Sequence, residues 1–130
     1  MSTKLVAIIN DKSNEEVLKA AAAGAIGAMA ITTVGKQNFY NLGALKACAE
    51  MLNAQCKSTP QIMPNVNFDC LVSEARLNAV TAITIIGEIP EGRAYILGAE
   101  IEAIRELKVD FNQLVRNAAT ECCDVIEWKP

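Results

Sequence analysis

The sequence contains no histidine. Ser-His-Asp and Cys-His arrangements, and zinc sites with mixed cysteine and histidine ligands, all require an imidazole, so these chemistries are excluded. No G-x-x-x-x-G-K-S/T or G-x-G-x-x-G motif follows a predicted strand, and a phosphate-binding loop is therefore not predicted. These absences predict a chain that is not an enzyme and that has no catalytic residue, no cofactor and no metal.

Positive charge is also scarce. The chain has 12 Lys and Arg against 15 Asp and Glu, for a net charge of −3, and its basic residues form no cluster. Nucleic-acid binding needs a basic patch that neutralises phosphates, so nucleic acid is not an expected partner.

Long apolar runs are absent as well. No run approaches the roughly 20 apolar residues of a membrane span, so no membrane partner is expected. The opening run MSTKLVAIIND meets Asp11 and Lys12 too soon to form the apolar core of a signal peptide. We therefore expect a cytoplasmic protein.

The cysteines occur without any C-x-x-C element. A reducing cytoplasm keeps thiols free, so all five are predicted to be reduced: Cys48, Cys56, Cys70, Cys122 and Cys123. Two interpretations stay open for them. They are small buried apolar side chains, or some of them have a redox or metal-binding role.

What the sequence has in excess is small aliphatic side chains. Hydrophobic residues make up 52% of the chain and aromatic residues only 5%, so Ala, Ile, Val and Leu dominate. A chain of 130 residues fits one domain, residues 1–130, with a single core. One small core does not hold this much apolar surface, and we therefore expect subunit interfaces between copies of the chain.

Apolar and β-branched runs predict strands at TKLVAIIN, AIGAMAITTV, VTAITIIGEI and RAYILGA, with DVIEW as an edge strand. Helices are predicted between them. The first runs from about Asn14 to Ala23, with Ser13 and Glu16 as a capping box and Gly24 as its end. Residues 51–76 are predicted to include an insertion, followed by a short helix in DCLVSEARLNA. This order predicts an α/β (α+β) fold, a split β-α-β ferredoxin-like sandwich whose antiparallel or mixed sheet has helices on one face.

A Pro-Glu-Gly turn is predicted between the last two long strands. Pro90 fixes one backbone angle and Gly92 supplies a positive φ, so Glu91 and Arg93 would project from a stiff hairpin tip. Two interpretations are open. The tip is an ordinary hairpin, or it lines an axial opening in a cyclic oligomer, where a ring of charges and backbone amides selects solutes.

Two stretches resemble a known family. AGAIGAMAITTVGKQNFYNLGALKACAE (23–50) and LNAVTAITIIGEIPEGRAYILGAEIEAIREL (77–107) are similar to the shell domain of bacterial microcompartments, in its circularly permuted form. The resemblance implies a structural shell protein located in a bacterial microcompartment. It further implies a homo-oligomer, a hexamer or a trimer, that tiles with other shell proteins and has an axial pore for small solutes.

The same resemblance assigns roles to individual residues. Pro90, Glu91, Gly92 and Arg93 stand where the family's pore loop lines the centre of its hexamers, and Lys46 in ALKA stands where a lysine lies at the hexamer edge. The region from about 51 to 76 has no counterpart in the family.

A second family resembles the beginning of the chain. TKLVAIINDKSNEEVLKAAAAGAIGAMAITTVG (3–35) is similar to the opening β-α-β unit of PII-type signal-transducing proteins. This resemblance implies a trimeric regulatory protein that binds a nucleotide or another small molecule between subunits. The long tyrosine-bearing loop of that family does not follow Gly35. A third hypothesis is an enzyme that works without histidine.

Overall fold

The structure is a computed structural model that describes residues 2–11, 13–52, 68–110 and 112–127. Within these ranges the chain is helical and contains no β-strand. The α-helices are α1 (Ser2–Asn10), α2 (Glu16–Met29), α3 (Thr33–Asn41), α4 (Ala44–Leu52), α5 (Phe68–Ile86), α6 (Pro90–Ala99), α7 (Ile101–Glu106) and α8 (Gln113–Glu127), with a 3₁₀ helix (Leu107–Val109) between the last two.

The predicted α/β sandwich is therefore wrong. The strand prediction TKLVAIIN falls in α1, VTAITIIGEI falls mostly in α5, and RAYILGA falls in α6. AIGAMAITTV runs from α2 across a corner into α3, and the described part of DVIEW lies in α8. Periodicity does not separate a buried helix from a buried strand in short apolar runs, and length has to decide. Here the runs belong to helices that are buried on more than one side.

Helix α5 is the centre of the fold. It packs against α2, α4 and α8, and α3 also contacts it. Val80, Ile83 and Ile86 are fully buried along it. Because several helices pack against α5, its second half is rich in apolar and β-branched residues, which is the pattern that suggested a buried strand. Tertiary packing outweighs the modest helix propensity of its β-branched residues.

Small side chains set the close approach of α2 to α5. Ala23 on α2 and Ala79 on α5 are fully buried. A Cβ on Gly27 would lie 3.9 Å from the Cα of Ala82, so the two backbones are close to ordinary van der Waals contact at that point. The side-chain amide of Asn78 donates a 2.9 Å hydrogen bond to the carbonyl of Ala20 and ties the two helices together.

The ends of α2 differ from the predicted ones. Ser13 is not its N-cap, because its backbone N–H and its hydroxyl both donate to Asp11 Oδ1, at 2.9 and 2.6 Å. The helix instead follows Glu15, whose side chain makes no capping hydrogen bond. Nor does the helix end at Gly24, since it continues to Met29.

The core is one continuous cluster shared by the helices. Its largest fully buried side chains are Phe39, Ile26, Ile83, Ile86, Ile96, Ile104, Ile126, Val80, Val115, Cys48 and Cys122. Of the predicted insertion, residues 53–67 lie outside the described ranges, and DCLVSEARLNA lies within α5. Among the described helices, none combines the length and the apolar character needed to cross a membrane.

Candidate functional site

The predicted pore-loop residues form the first turn of α6 and not a hairpin tip. Pro90 occupies the first turn of the helix, where a missing N–H costs nothing. Gly92 is buried and does not have a positive φ, which among the described residues occurs only at Gly43. Glycine is needed because a Cβ at position 92 would lie 2.5 Å from the carbonyl oxygen of Ile86. The described residues around Pro90 and Gly92 therefore do not form the stiff hairpin tip on which the predicted pore was based.

The surface next to this turn is open. Glu88, in the α5–α6 corner, forms a 2.9 Å ion pair with Lys36 of α3. One concavity of about 280 Å³ lies there, and a second of about 330 Å³ lies between α6 and α8. Arg93 lines both, with acidic neighbours such as Glu121 and Asp124. Ligand sites are usually more enclosed, so neither concavity is an evident small-molecule site.

Lys46, the predicted edge residue, is exposed on α4. Its neighbours in the chain, Leu45 and Ala47, are buried in the core. The described residues therefore place Lys46 at the surface of a helix.

The strongest surface feature is a face of α2 that sequence reasoning missed. Its exposed members lie on one side of the helix, and we call them the outer face: Val17, Leu18, Ala21, Gly24, Ala28 and Met29. Ile31 and Val34 follow directly after the helix and are 69% and 80% exposed. No charged residue occurs between Lys19 and Lys36.

The opposite side of α2 is buried. Ala20, Ala23 and Ile26 belong to the core, and α2 contacts α1 and α5 on that side. A helix that is apolar all round is usually enclosed by protein or lipid. Helix α2 carries no charge after Lys19, and yet the described residues leave one side of it uncovered, so its outer face is a candidate interface.

A second feature lies inside the protein. Glu100, between α6 and α7, is only 4% exposed, and neither of its carboxylate oxygens has a hydrogen-bond partner among the described residues. Burial raises the pKa of this carboxyl group to about 8. Sequence reasoning missed it, although Ile96, Glu100 and Ile104 are spaced by four, which places the acid on an apolar helical stripe once the helices are known.

The cysteines near the core are not reactive thiols. Cys48, Cys122 and Cys123 are buried and not in disulfides. Burial raises the pKa of the Cys48 thiol to about 12 and that of Cys122 to about 11, which favours the protonated thiol over the more reactive thiolate at pH 7. No group of three His, Cys, Asp or Glu in the described part of the chain is arranged to hold a metal ion. Cys56 and the side chain of Cys70 lie outside the described residues.

No protein-family model and no solved structure matches this chain. The resemblances to the microcompartment shell domain and to PII-type proteins are wrong, because both families are built on β-α-β units and the described residues are helical. The roles that the shell resemblance assigned to Lys46 and to Pro90–Arg93, and the microcompartment location, lose their basis with it. Function has to be argued from the surfaces of the helical fold.

Proposed function

We propose that this protein is a non-enzymatic helical subunit that assembles with a second copy of itself through the outer face of α2. One observation carries the proposal: α2 is apolar on the side that no other part of the described chain covers. The high aliphatic content of the sequence favours the same conclusion, because one small core leaves apolar surface uncovered.

A second copy is the occupant that fits this face best. In an antiparallel pair related by a two-fold axis, the middle of α2 crosses its own counterpart, and Ala21 and Gly24 are small enough to let two helices approach closely. Val17 of one copy then lies beside Met29 of the other, at the two ends of the contact. Antiparallel helix dipoles attract each other, and the face brings no charge that the partner would have to neutralise.

The energetics require several side chains acting together. Five aliphatic side chains at or beside the face are between 41% and 80% exposed: Val17, Leu18, Met29, Ile31 and Val34. Covering the exposed half of one such side chain contributes roughly 1 kcal/mol. Loss of rigid-body freedom opposes association by at least roughly 4 kcal/mol, so a few side chains are insufficient and the full set from both copies is needed. A dimer that dissociates on dilution is expected.

Replacing Ala21 by Glu tests this assignment. Two carboxylates would meet near the two-fold axis in an apolar contact, and we expect the dimer dissociation constant to rise at least tenfold. Position 21 is exposed in the single chain, so the fold should be unaffected. Sedimentation equilibrium over a range of concentrations measures the constant, and circular dichroism checks the fold.

Ala7→Glu is the matched control, because Ala7 is an exposed alanine in the middle of α1. It should leave the dissociation constant unchanged. A dimer that withstands Ala21→Glu would keep self-association but exclude this face. A wild-type chain that stays monomeric at high concentration would contradict the proposal. A monomer whose outer face binds neutral phospholipid vesicles would contradict it as well.

A further inference from the structure

Glu100 is a buried acid that has no side-chain hydrogen bond to the described part of the chain. Both carboxylate oxygens are shielded from solvent, and the described residues offer them no hydrogen bond. An ionised carboxylate in such a place has lost its hydration without compensation, which is strongly unfavourable. The closed fold therefore requires the side chain to be uncharged.

The titratable groups around Glu100 do not supply a counter-charge. They are Cys48 on α4, Tyr95 on α6 and Cys122 on α8, and the negative charge of Glu100 would raise the pKa of each of them. Cys122 is also hydrogen-bonded to Thr84, an uncharged residue of α5. These groups are neutral at pH 7. Within the described chain, burial is the cause of the raised pKa of Glu100, with no cation opposing it.

Further groups face this region through Tyr95. Tyr40 on α3 and Glu50 on α4 both raise the pKa of its phenol, and neither is a cation. None of these groups supplies a positive charge to Glu100. Its ionised form would be disfavoured by burial.

The backbone of Glu100 joins two helices. Its N–H donates to the carbonyl of Ile96 at 2.9 Å and ends α6, and its carbonyl accepts from the N–H of Ile104 at 3.2 Å and begins α7. Its side chain makes no capping hydrogen bond of its own. The carboxyl group lies buried at this junction, with both oxygens shielded from solvent. For it to reach water, the junction between α6 and α7 has to move.

We propose that Glu100 is a pH-sensitive latch on the α6–α7 junction: while uncharged it lets the junction close against α4 and α8, and its ionisation opens the junction. The inference is independent of the outer face of α2.

The direction of the pH effect follows from the two states. The pKa of Glu100 is raised from 4.5 in the open, solvated state to about 8 in the closed one. The latch is thus fully effective below about pH 4.5 and weakens as the pH rises, until ionisation in the closed state is complete above about pH 8. Between these limits the opening equilibrium increases up to about tenfold for each pH unit.

Amide hydrogen exchange at pH 6 and pH 8, corrected for the intrinsic exchange rates, tests the latch. In the wild-type chain, the opening constant for amides of residues 96–106 is expected to rise by about 50-fold between the two pH values, because half of the closed-state carboxyl groups are already ionised at pH 8. In Glu100→Gln, which cannot ionise, it should not change. Glu100→Leu provides a second uncharged side chain in case the buried amide of the glutamine variant prevents folding.

Glu106→Gln is the control, since Glu106 is an exposed carboxylate at the other end of α7. It should retain the wild-type pH response. A wild-type opening constant that is equal at both pH values would overturn the proposal. The same holds if both uncharged variants keep the response, or if amides in α1 and α2 open to the same extent as those at the junction.

Discussion

Gly92→Ala is expected to destabilise the fold by about 3 kcal/mol, the upper end of the cost of inserting one methyl group into a packed site. The added Cβ would lie 2.5 Å from the carbonyl oxygen of Ile86, 3.1 Å from its carbonyl carbon and 3.3 Å from the Cα of Gly87. These are backbone atoms at the end of α5, which cannot turn aside as a flexible side chain does. To accept the methyl group, the start of α6 has to move away from α5, and Ile96 on the next turns of α6 loses part of its burial.

Gly98→Ala is the matched comparison in the same helix. No heavy atom lies within 4 Å of its would-be Cβ, and the residue is exposed. Because alanine restricts the unfolded chain more than glycine does, this variant should be stabilised by about 0.5–1 kcal/mol. Urea titration with a shared m-value measures both variants. A loss below about 1 kcal/mol for Gly92→Ala, or equal effects at both glycines, would contradict the close α5–α6 contact.

The contrast between these two glycines explains why the sequence misled at Pro90–Arg93. Pro and Gly two residues apart are typical of a turn, and the sequence alone assigned a positive φ to Gly92. The structure uses Pro90 as a helix start, with Glu91 in the first turn near the positive end of the helix dipole. Proline followed by an acid is also a helix N-terminus signature. The close approach to Ile86 decides between the two, and it depends on tertiary packing.

The helix predictions are correct where apolar residues recur at helical spacing and polar residues occupy the positions between them. The pattern in LGALKACAEMLNAQ predicts a helix, and α4 occupies its centre. The pattern after Glu100 also predicts helix, although the structure breaks it at Asp110 between the 3₁₀ helix and α8. The wrong strand predictions fall on short apolar or β-branched runs of α1, α2, α3, α5, α6 and α8. Within such short runs, periodicity does not separate a helix from a strand.

The two candidate sites differ in how far the sequence could reveal them. The absence of charge from Ala20 to Gly35 is visible in the sequence, whereas subunit interfaces were predicted only from the overall aliphatic content. Only the structure shows that half of this stretch faces outward, because α5 covers the other half. Glu100 looks like an ordinary surface acid until Ile96 and Ile104 are known to lie above and below it in the core.

Asp110→Ala is expected to cost about 3 kcal/mol, because it removes one partner of a shielded ion pair. Asp110 Oδ1 lies 2.7 Å from Arg76 Nη1, and the aspartate side chain is only 4% exposed. Its other oxygen accepts from the N–H of Asn112 at 3.0 Å, and its carbonyl accepts from Arg116 Nη1 at 2.8 Å. The aspartate thus ties α5 to the corner that begins α8, and its loss leaves the Arg76 guanidinium without its carboxylate.

Glu102→Ala is the control that separates the effect of burial from the effect of a short distance between the charged atoms. Glu102 forms a comparably short contact, 2.6 Å, with Arg105, but its side chain is 79% exposed, so water replaces the lost partner and no measurable change in the urea midpoint is expected. The double variant Arg76→Met, Asp110→Ala separates the two contributions at the buried pair. Once the unpaired guanidinium is gone, stability should recover in part over Asp110→Ala alone. If instead the stability losses of Arg76→Met and Asp110→Ala add in the double variant, Arg76 and Asp110 are not coupled. The corner that begins α8 is then held by the backbone and by the capping side chain of Asn112.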